Sequence, residues 1–380
     1  MKKKQDNILI VGSPARYSDL RYATDFFSFD PVIFLRTRQK RLLIVSPLDF
    51  GHVRRRTKLA DGTMKNMDVL SSSNFPVAKN SKTPACDRII GLLKKVKARA
   101  VAVPPYFPIG LANKLAEKGI KLTVAEGPVF PEREVKRALE IEFITYAQKA
   151  AIKAMDAAFA MIAGARISRD RSLKTGNRPL TSEAVRDVID RATRDFGCVC
   201  CGTIVACGRQ AANPHETGWG TIKADKPIVI DIFPQHIKSG YWGDLTRTVV
   251  RGTASPGIQK LYTAVRDAQR AAISKIKAGI TGDKIHNTAV DLFKERGFVT
   301  GARNGKQVGF IHGIGHGIGL EIHENPSVRP AGAKLKAGNV ITIEPGLYYH
   351  DLGSIRIEDV VLVTRDGRRI LAPCNYPFVV

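Results

Sequence analysis

Ile228-Val229-Ile230-Asp231, Gly243-Asp244-Leu245-Thr246-Arg247-Thr248, Gly315-His316-Gly317-Ile318-Gly319, Ile343-Glu344-Pro345-Gly346 and Arg356-Ile357-Glu358-Asp359 are the stretches whose reading decides the fold. Each sets one potential metal ligand in a strand-like or loop context. Asp231, Asp244, Glu344 and Glu358 supply carboxylates and His316 an imidazole, a hard, oxygen-rich set. One divalent ion does not need so much negative charge, whereas two ions sharing carboxylates do. Two such ions are a common device for making a nucleophile at neutral pH, so the pattern points to a hydrolase.

Local context supports the set. Asp231 closes the apolar run Ile228-Val229-Ile230, and a carboxylate at a buried strand end is held rigidly. Pro234, Gly240 and Gly243 permit a turn and a bulge, so Asp231 and Asp244 can converge from adjacent strands. Glu344 follows the strand pattern Val340-Ile341-Thr342-Ile343. Within Ser354–Leu362, read as one strand, Arg356 shares a face with Glu358 and is expected to orient its carboxylate. His215, His312 and His323 are further nitrogen candidates. Taken singly, each of these residues has an ordinary reading: a solvated or turn-capping carboxylate, a flexible Gly-His-Gly loop, a turn histidine beside Pro214. The glycine run lacks the Gly-Lys-Ser/Thr ending of a phosphate loop.

In order and context together, these motifs resemble the creatinase / methionine aminopeptidase ("pita-bread") family, most closely its Xaa-Pro aminopeptidase and prolidase branch. The likeness rests on Gly240–Thr248, on Gly315–Gly319 followed by His323-Glu324-Asn325-Pro326, and on the two glutamate motifs. It covers roughly the last two-thirds of the chain. The resemblance implies that Asp231 chelates one ion, that His316 and Glu344 hold the other, and that Asp244 and Glu358 bridge both. It makes His215 and His323 substrate-side groups that steady the scissile carbonyl, and Glu344 also a proton shuttle. The implied metal is Mn²⁺, with Co²⁺, Zn²⁺ and Fe²⁺ compatible. The implied reaction is attack of a metal-bridging hydroxide on the amino-terminal peptide bond of X-Pro peptides. Prolidase action on dipeptides alone is the second reading. A methionine aminopeptidase is disfavoured by the extra amino-terminal domain, and a metal-free creatinase-like hydrolase by the ligand set. A non-catalytic binding protein on the same fold would be expected to lose ligands. One departure is the stretch Asp231–Gly240, about two residues longer than the family pattern. It alters the hairpin tip, where His236 reads as a loop residue.

The composition fits this reading. With 380 residues, 44% hydrophobic and 25% charged, the chain is long enough for two domains with separate cores. The net charge of +25 is unusual, but its lysines and arginines are scattered, so no specific nucleic-acid partner is expected. No apolar run approaches the roughly 18 residues of a membrane helix. Met1-Lys2-Lys3-Lys4 resembles a signal-peptide start, but the apolar stretch after it is too short, so a cytoplasmic protein is expected. Cys198, Cys200, Cys201 and Cys207 lack paired zinc spacing and read as buried β-structure. A peptide substrate is expected, and the resemblance implies a homodimer.

The expected architecture is α/β (α+β). Residues 1–131 form an amino-terminal creatinase-like α/β domain, with strands at Asn7–Val11, Pro31–Arg36, Arg41–Ser46, Ala98–Val103 and Lys121–Val124 and helices at Asp87–Val96 and Gly110–Lys118. Asp30-Pro31 and Asp61-Gly62-Thr63 mark loops, and Gly127–Pro131 a stiff linker. Residues 132–380 form the pita-bread catalytic domain with pseudo-twofold duplication. It begins with a long helix from Glu132, followed by helices at Thr181–Gly197, Ser255–Gly279 and Thr281–Gly297.

Overall fold

The computed structural model describes residues 7–59, 67–77, 79–303 and 305–380. The lysines after Met1 and the loop at Asp61-Gly62-Thr63 lie outside the described residues. The chain divides into two compact units, Met1–Pro131 and Glu132–Val380.

In the first unit β1 (Ile8–Gly12), β2 (Val32–Arg36), β3 (Arg41–Val45), β4 (Met67–Ser71), β5 (Ala100–Val103) and β6 (Lys121–Val124) build one mixed sheet in the order β4-β3-β2-β1-β5-β6. Helices α1 (Ser18–Thr24), α2 (Pro47–Leu59), α3 (Pro84–Lys95) and α4 (Ile109–Glu117) connect the strands. Proline at the first turn starts α3. Its buried stripe of Cys86, Ile89, Leu92 and Leu93 covers Leu9, Leu35, Leu42 and Ile44 of the sheet. The sequence reading did not anticipate α1, α2 and β4. Helix α1 is only seven residues long. In α2, Val53 is buried while Arg54, Arg55 and Arg56 are exposed, which leaves no apolar periodicity to read.

A 3₁₀ turn runs over Pro131–Glu134, and in the second unit α5 follows over Ala138–Ala163. The helix thus starts later than expected, because the Glu140 carboxylate accepts the Arg137 backbone N–H at 2.9 Å and caps it there. Leu139 is exposed, whereas Ile144, Ala147, Ala151, Ala154, Met155, Ala158 and Ile162 form the buried face. A small sheet of β7 (Arg166–Ile167), β8 (Leu173–Thr175) and β9 (Arg178–Pro179) leads to α6 (Ser182–Arg194), capped by the Thr181 hydroxyl on the Ala184 N–H. Strand β10 (Cys198–Cys200) pairs with β13 (Pro234–His236), while β11 (Ile204–Cys207), β12 (Pro227–Ile232) and β14 (Leu245–Val250) form an antiparallel sheet in the order β11-β12-β14.

The order then repeats. Helix α7 (Pro256–Lys275), capped by Ser255, and α8 (Gly282–Glu295) are followed by the ribbon β15 (Gly301–Arg303)–β16 (Lys306–Val308). Strands β17 (Gly315–Gly317), β18 (Glu324–Val328), β19 (Val340–Ile343), β22 (Asp359–Val363) and β23 (Arg368–Ile370) make a sheet in the order β18-β17-β19-β22-β23. Strands β20 (Gly346–Tyr349) and β21 (Gly353–Arg356) form a separate hairpin. One apolar cluster centres on α5 and α6 against β12 and β14, the other on α7 and α8 against β19 and β22. Each half therefore buries one face of its own sheet under its own helix pair. The opposite sheet faces carry the ligand candidates.

Candidate active site

Strand register explains how residues far apart in sequence meet. Asp231 pairs with Thr246 across β12 and β14. Asp244 lies two residues before Thr246, so both carboxylates project from one face of that sheet. In the second half Gly317 pairs with Ile341, and the Glu344 N–H reaches the Ile314 carbonyl at 2.8 Å. His316 and Glu344 therefore share a face. Ile343 pairs with Asp359, which puts Glu344 opposite Glu358. The Glu358 N–H donates to the Thr246 carbonyl at 3.0 Å and joins the two halves.

The glycines around His316 serve close packing. A Cβ at Gly315 would lie 1.9 Å from the Thr342 carbonyl oxygen, and one at Gly317 would lie 2.5 Å from that of Asn325. Only glycine lets β17 lie so close to its neighbours, and this brings His316 inward. Asp244 is held in a similar way. Gly243 abuts the Ala147–Gln148 backbone, and the Gln148 side chain bonds both the Asp244 N–H (2.8 Å) and its carbonyl (2.9 Å).

Single ligand atoms of Asp244, His316 and Glu358 all lie within 4.8 Å of one another. His316 Nε2 is 3.5 Å from Glu344 Oε1 and 3.7 Å from Asp244 Oδ2. Asp231 lines the same cavity of about 600 Å³, as do His215, His323, His312 and Arg356. The His316 and His323 rings meet edge to face at 4.3 Å.

Arg356 corrects one expectation. Its Nη2 donates to Asp231 Oδ2 at 2.6 Å, and the Glu358 carboxylate instead accepts from the Thr246 hydroxyl at 2.8 Å. The expected single strand 354–362 is broken after Arg356, and β21 and β22 belong to different sheets. Alternation along one strand therefore does not relate Arg356 to Glu358. Arg356 also donates to the Tyr348 hydroxyl at 3.1 Å and to the Pro214 carbonyl at 3.3 Å, beside His215. The Tyr348 hydroxyl bonds His312 Nε2 at 2.9 Å. His312 thus belongs to the framework around Arg356. Sequence reasoning missed Gln148, Thr246 and Tyr348, because their roles depend on partners distant in sequence.

The electrostatics are those of a cation site. Burial, reinforced by Glu358 and the other carboxylates, holds the Asp244 carboxyl well above its ordinary range. Burial and the Glu344 charge do the same for Glu358. Burial pushes Glu344 up to about 8, although Arg356 pulls the other way. Burial, helped by His323, pushes His316 down to about 3 and so keeps it a neutral donor. Asp231 Oδ1 is buried and finds no hydrogen-bond partner among the described residues. Crowded carboxylates, a neutral imidazole and an orphaned carboxylate oxygen match what divalent cations require. The buried Asp/His/Glu cluster fits a metal site.

The cysteine cluster takes no part in this site. Cys198 is buried in β10, Cys201 is exposed, and all six cysteines are free thiols. Among the described residues no helix is long and apolar enough to cross a membrane.

Comparison with known proteins agrees with this geometry. Residues 142–365 match metallopeptidase family M24. The chain is similar to the Xaa-Pro dipeptidase of Pyrococcus furiosus, 34% identical over 241 residues, 63% of each chain. It is also similar to the Xaa-Pro dipeptidase of Pyrococcus horikoshii, 31% identical over 305 residues, 79% of each chain. The match to the first of these spans less than two-thirds of that relative's length. The fold is that of the X-Pro aminopeptidase from Thermotoga maritima, with a TM-score of 0.81 at 24% identity over 99% of this chain and 98% of that one. The chain belongs to metallopeptidase family M24, in its Xaa-Pro aminopeptidase and prolidase branch.

Proposed function

We propose that this protein is a dinuclear metal-dependent peptidase that hydrolyses X-Pro substrates, with dipeptides preferred over longer peptides. The observation that carries the reading is the convergence of Asp231, Asp244, His316, Glu344 and Glu358 on one cavity that His215 and His323 also line. In this reading Asp231 would serve one ion and His316 and Glu344 the other, and Asp244 and Glu358 would be shared between them. When bound, such ions polarise a carbonyl and lower the pKa of water.

The chain's own groups supply the rest. Arg356 occupies one oxygen of Asp231 and leaves the other, Oδ1, without a hydrogen-bond partner among the described residues and so available to a cation. His215 and His323 donate to the scissile carbonyl as charge develops on its oxygen. The Glu344 carboxyl receives a proton and passes it to the leaving nitrogen. Proline presents a tertiary amide, so no group is needed to recognise an N–H there.

Two observations favour dipeptides. The relatives from both Pyrococcus species are Xaa-Pro dipeptidases. The Arg329 side chain lines the cavity and has no ion-pair partner among the described residues. A guanidinium there suits the free carboxylate that follows proline in a dipeptide. The reading carries with it Mn²⁺ as the metal, a homodimer and a cytoplasmic location, and six free thiols suit a reducing compartment. It assigns the chemistry to residues 132–380 and reads residues 1–131 as the creatinase-like amino-terminal domain.

The test uses chelator-stripped protein, with and without Mn²⁺, on X-Pro, X-Pro-Y and X-Ala peptides. Metal-dependent cleavage of X-Pro alone supports the reading in full. Cleavage of X-Pro-Y at an equal rate replaces the dipeptidase with an aminopeptidase. No metal binding and no cleavage of any of them removes the peptidase assignment.

A further inference from the structure

Glu324 follows His323 directly but is absent from the cavity wall. Its side chain is 7% exposed. The carboxylate accepts from Arg133 Nη2 at 2.7 Å, from Lys136 Nζ at 2.7 Å and from the Glu321 N–H at 3.3 Å. The Lys136 side chain is 1% exposed. A buried charge cluster of this kind is a poor device for stability, since desolvation offsets most of its attraction. Its geometry is well defined, however, and two further features converge on it. A Cβ at Gly319 would lie 2.4 Å from Glu324 Oε1, so this glycine clears space for the carboxylate. Trp242 grips the same loop from the other side, with its N–H on the Gly319 carbonyl (2.9 Å) and its indole N–H on that of Leu320 (3.2 Å).

The cationic anchors are themselves fixed to the catalytic frame. The Lys136 N–H donates to the Gly338 carbonyl at 2.8 Å, and Asn339 Nδ2 donates to the Glu134 carbonyl at 2.7 Å. Gly338 and Asn339 lead directly into β19, whose end carries Glu344. The segment that holds Glu324 is therefore bonded to the strand that presents a candidate ligand.

We propose that Glu324 is a positioning residue: clamped by Arg133 and Lys136, it sets where the His323 imidazole stands relative to His316 and Glu344. The inference rests on the reading of His323 as a substrate-side group. Loss of the clamp leaves the metal ligands in place and lets His323 drift from the scissile carbonyl, which lowers turnover more than binding.

The test compares metal-loaded full-length wild type with Glu324→Gln, the double variant Lys136→Met/Glu324→Gln, and His323→Ala. Turnover of an X-Pro dipeptide, KM, bound metal and thermal midpoint are measured for each. Glu324→Gln is expected to lose about 10–100-fold in kcat, the scale of other orienting groups around metal sites. KM and bound metal should change little. The double variant, free of the unpaired buried lysine, is expected to regain thermal midpoint while kcat stays low. Recovery of kcat together with the midpoint would make the cluster merely structural and overturn the inference. Wild-type kcat in Glu324→Gln beside an impaired His323→Ala would overturn it alone. Full turnover in His323→Ala would remove both the role of His323 and this inference, and would leave the metallopeptidase assignment standing.

Discussion

Glu344 and Glu358 face each other across β19 and β22, one residue outside the Ile343–Asp359 pair, on the side of the sheet away from α7 and α8. Two carboxylates so placed, Glu358 buried and Glu344 half-buried, repel each other strongly unless a cation lies between them. Asp231 and Asp244 hold comparable places on β12 and before β14. The duplicated halves thus each contribute a carboxylate pair to one site.

Asp244→Ala removes a carboxylate from the centre of the cluster. Hydrolysis is expected to vanish and bound metal to fall, with little change in the far-ultraviolet circular dichroism. Full activity with full metal content would contradict the two-ion reading.

His215→Ala should behave differently. His215 lines the cavity and is read as a substrate-side group rather than a ligand. Turnover is expected to drop by about 10²–10³-fold, the scale of a lost oxyanion donor, with metal retained. Metal analysis by mass spectrometry decides the matter, and lost metal would make His215 a ligand.

Arg356→Lys tests the orienting bond to Asp231. A lysine cannot serve Asp231, Tyr348 and the Pro214 carbonyl at once. A fall of about 10–100-fold in activity or metal affinity is expected. Arg356→Ala, which strands a buried carboxylate, should also cost about 3–5 kcal/mol of stability, measurable by urea unfolding.

Gly315→Ala would force a Cβ to 1.9 Å from the Thr342 carbonyl oxygen. A backbone shift must follow, and overpacking of this kind costs about 1–3 kcal/mol. A lowered thermal midpoint together with weakened metal binding is expected, because His316 is next in sequence.

Metal-stripped protein should lose stability as pH rises from about 7.5 to about 8.5, where unfolded histidines are already largely neutral. Burial puts the folded-state pKa of Glu344 at about 8, above its unfolded value, so the folded state binds more protons in this window and stability falls with pH. His286, His312, His316 and His323, all pushed down by burial, act the other way below about pH 7.5, where the unfolded chain still protonates part of its histidines, and fade above it. Thermal midpoints measured with and without Mn²⁺ across this range should diverge. A constant difference would contradict the buried-carboxylate account.

Much of the site was legible before any coordinates. Asp231 and Glu344 follow apolar β-branched runs, and glycines bracket His316, so ligand-type residues stood out against strand patterns. The helix starts at Thr181 and Ser255 were equally readable, because capping is local chemistry. Helix α2 was hidden by its arginines. The late start of α5 was hidden because the Glu140 carboxylate competes with the periodicity that runs back toward Glu132.

Sequence by itself determined which residues are able to hold a cation, and that strands and helices recur twice, since both follow from residue type and short-range periodicity. Only the tertiary structure decided who meets whom. Arg356 and Glu358 are two residues apart, yet the break between β21 and β22 gives the guanidinium to Asp231, 125 positions away, and gives the Glu358 carboxylate to Thr246. Contacts between sheets depend on register and on the packing of both halves, and no local pattern in the chain encodes them.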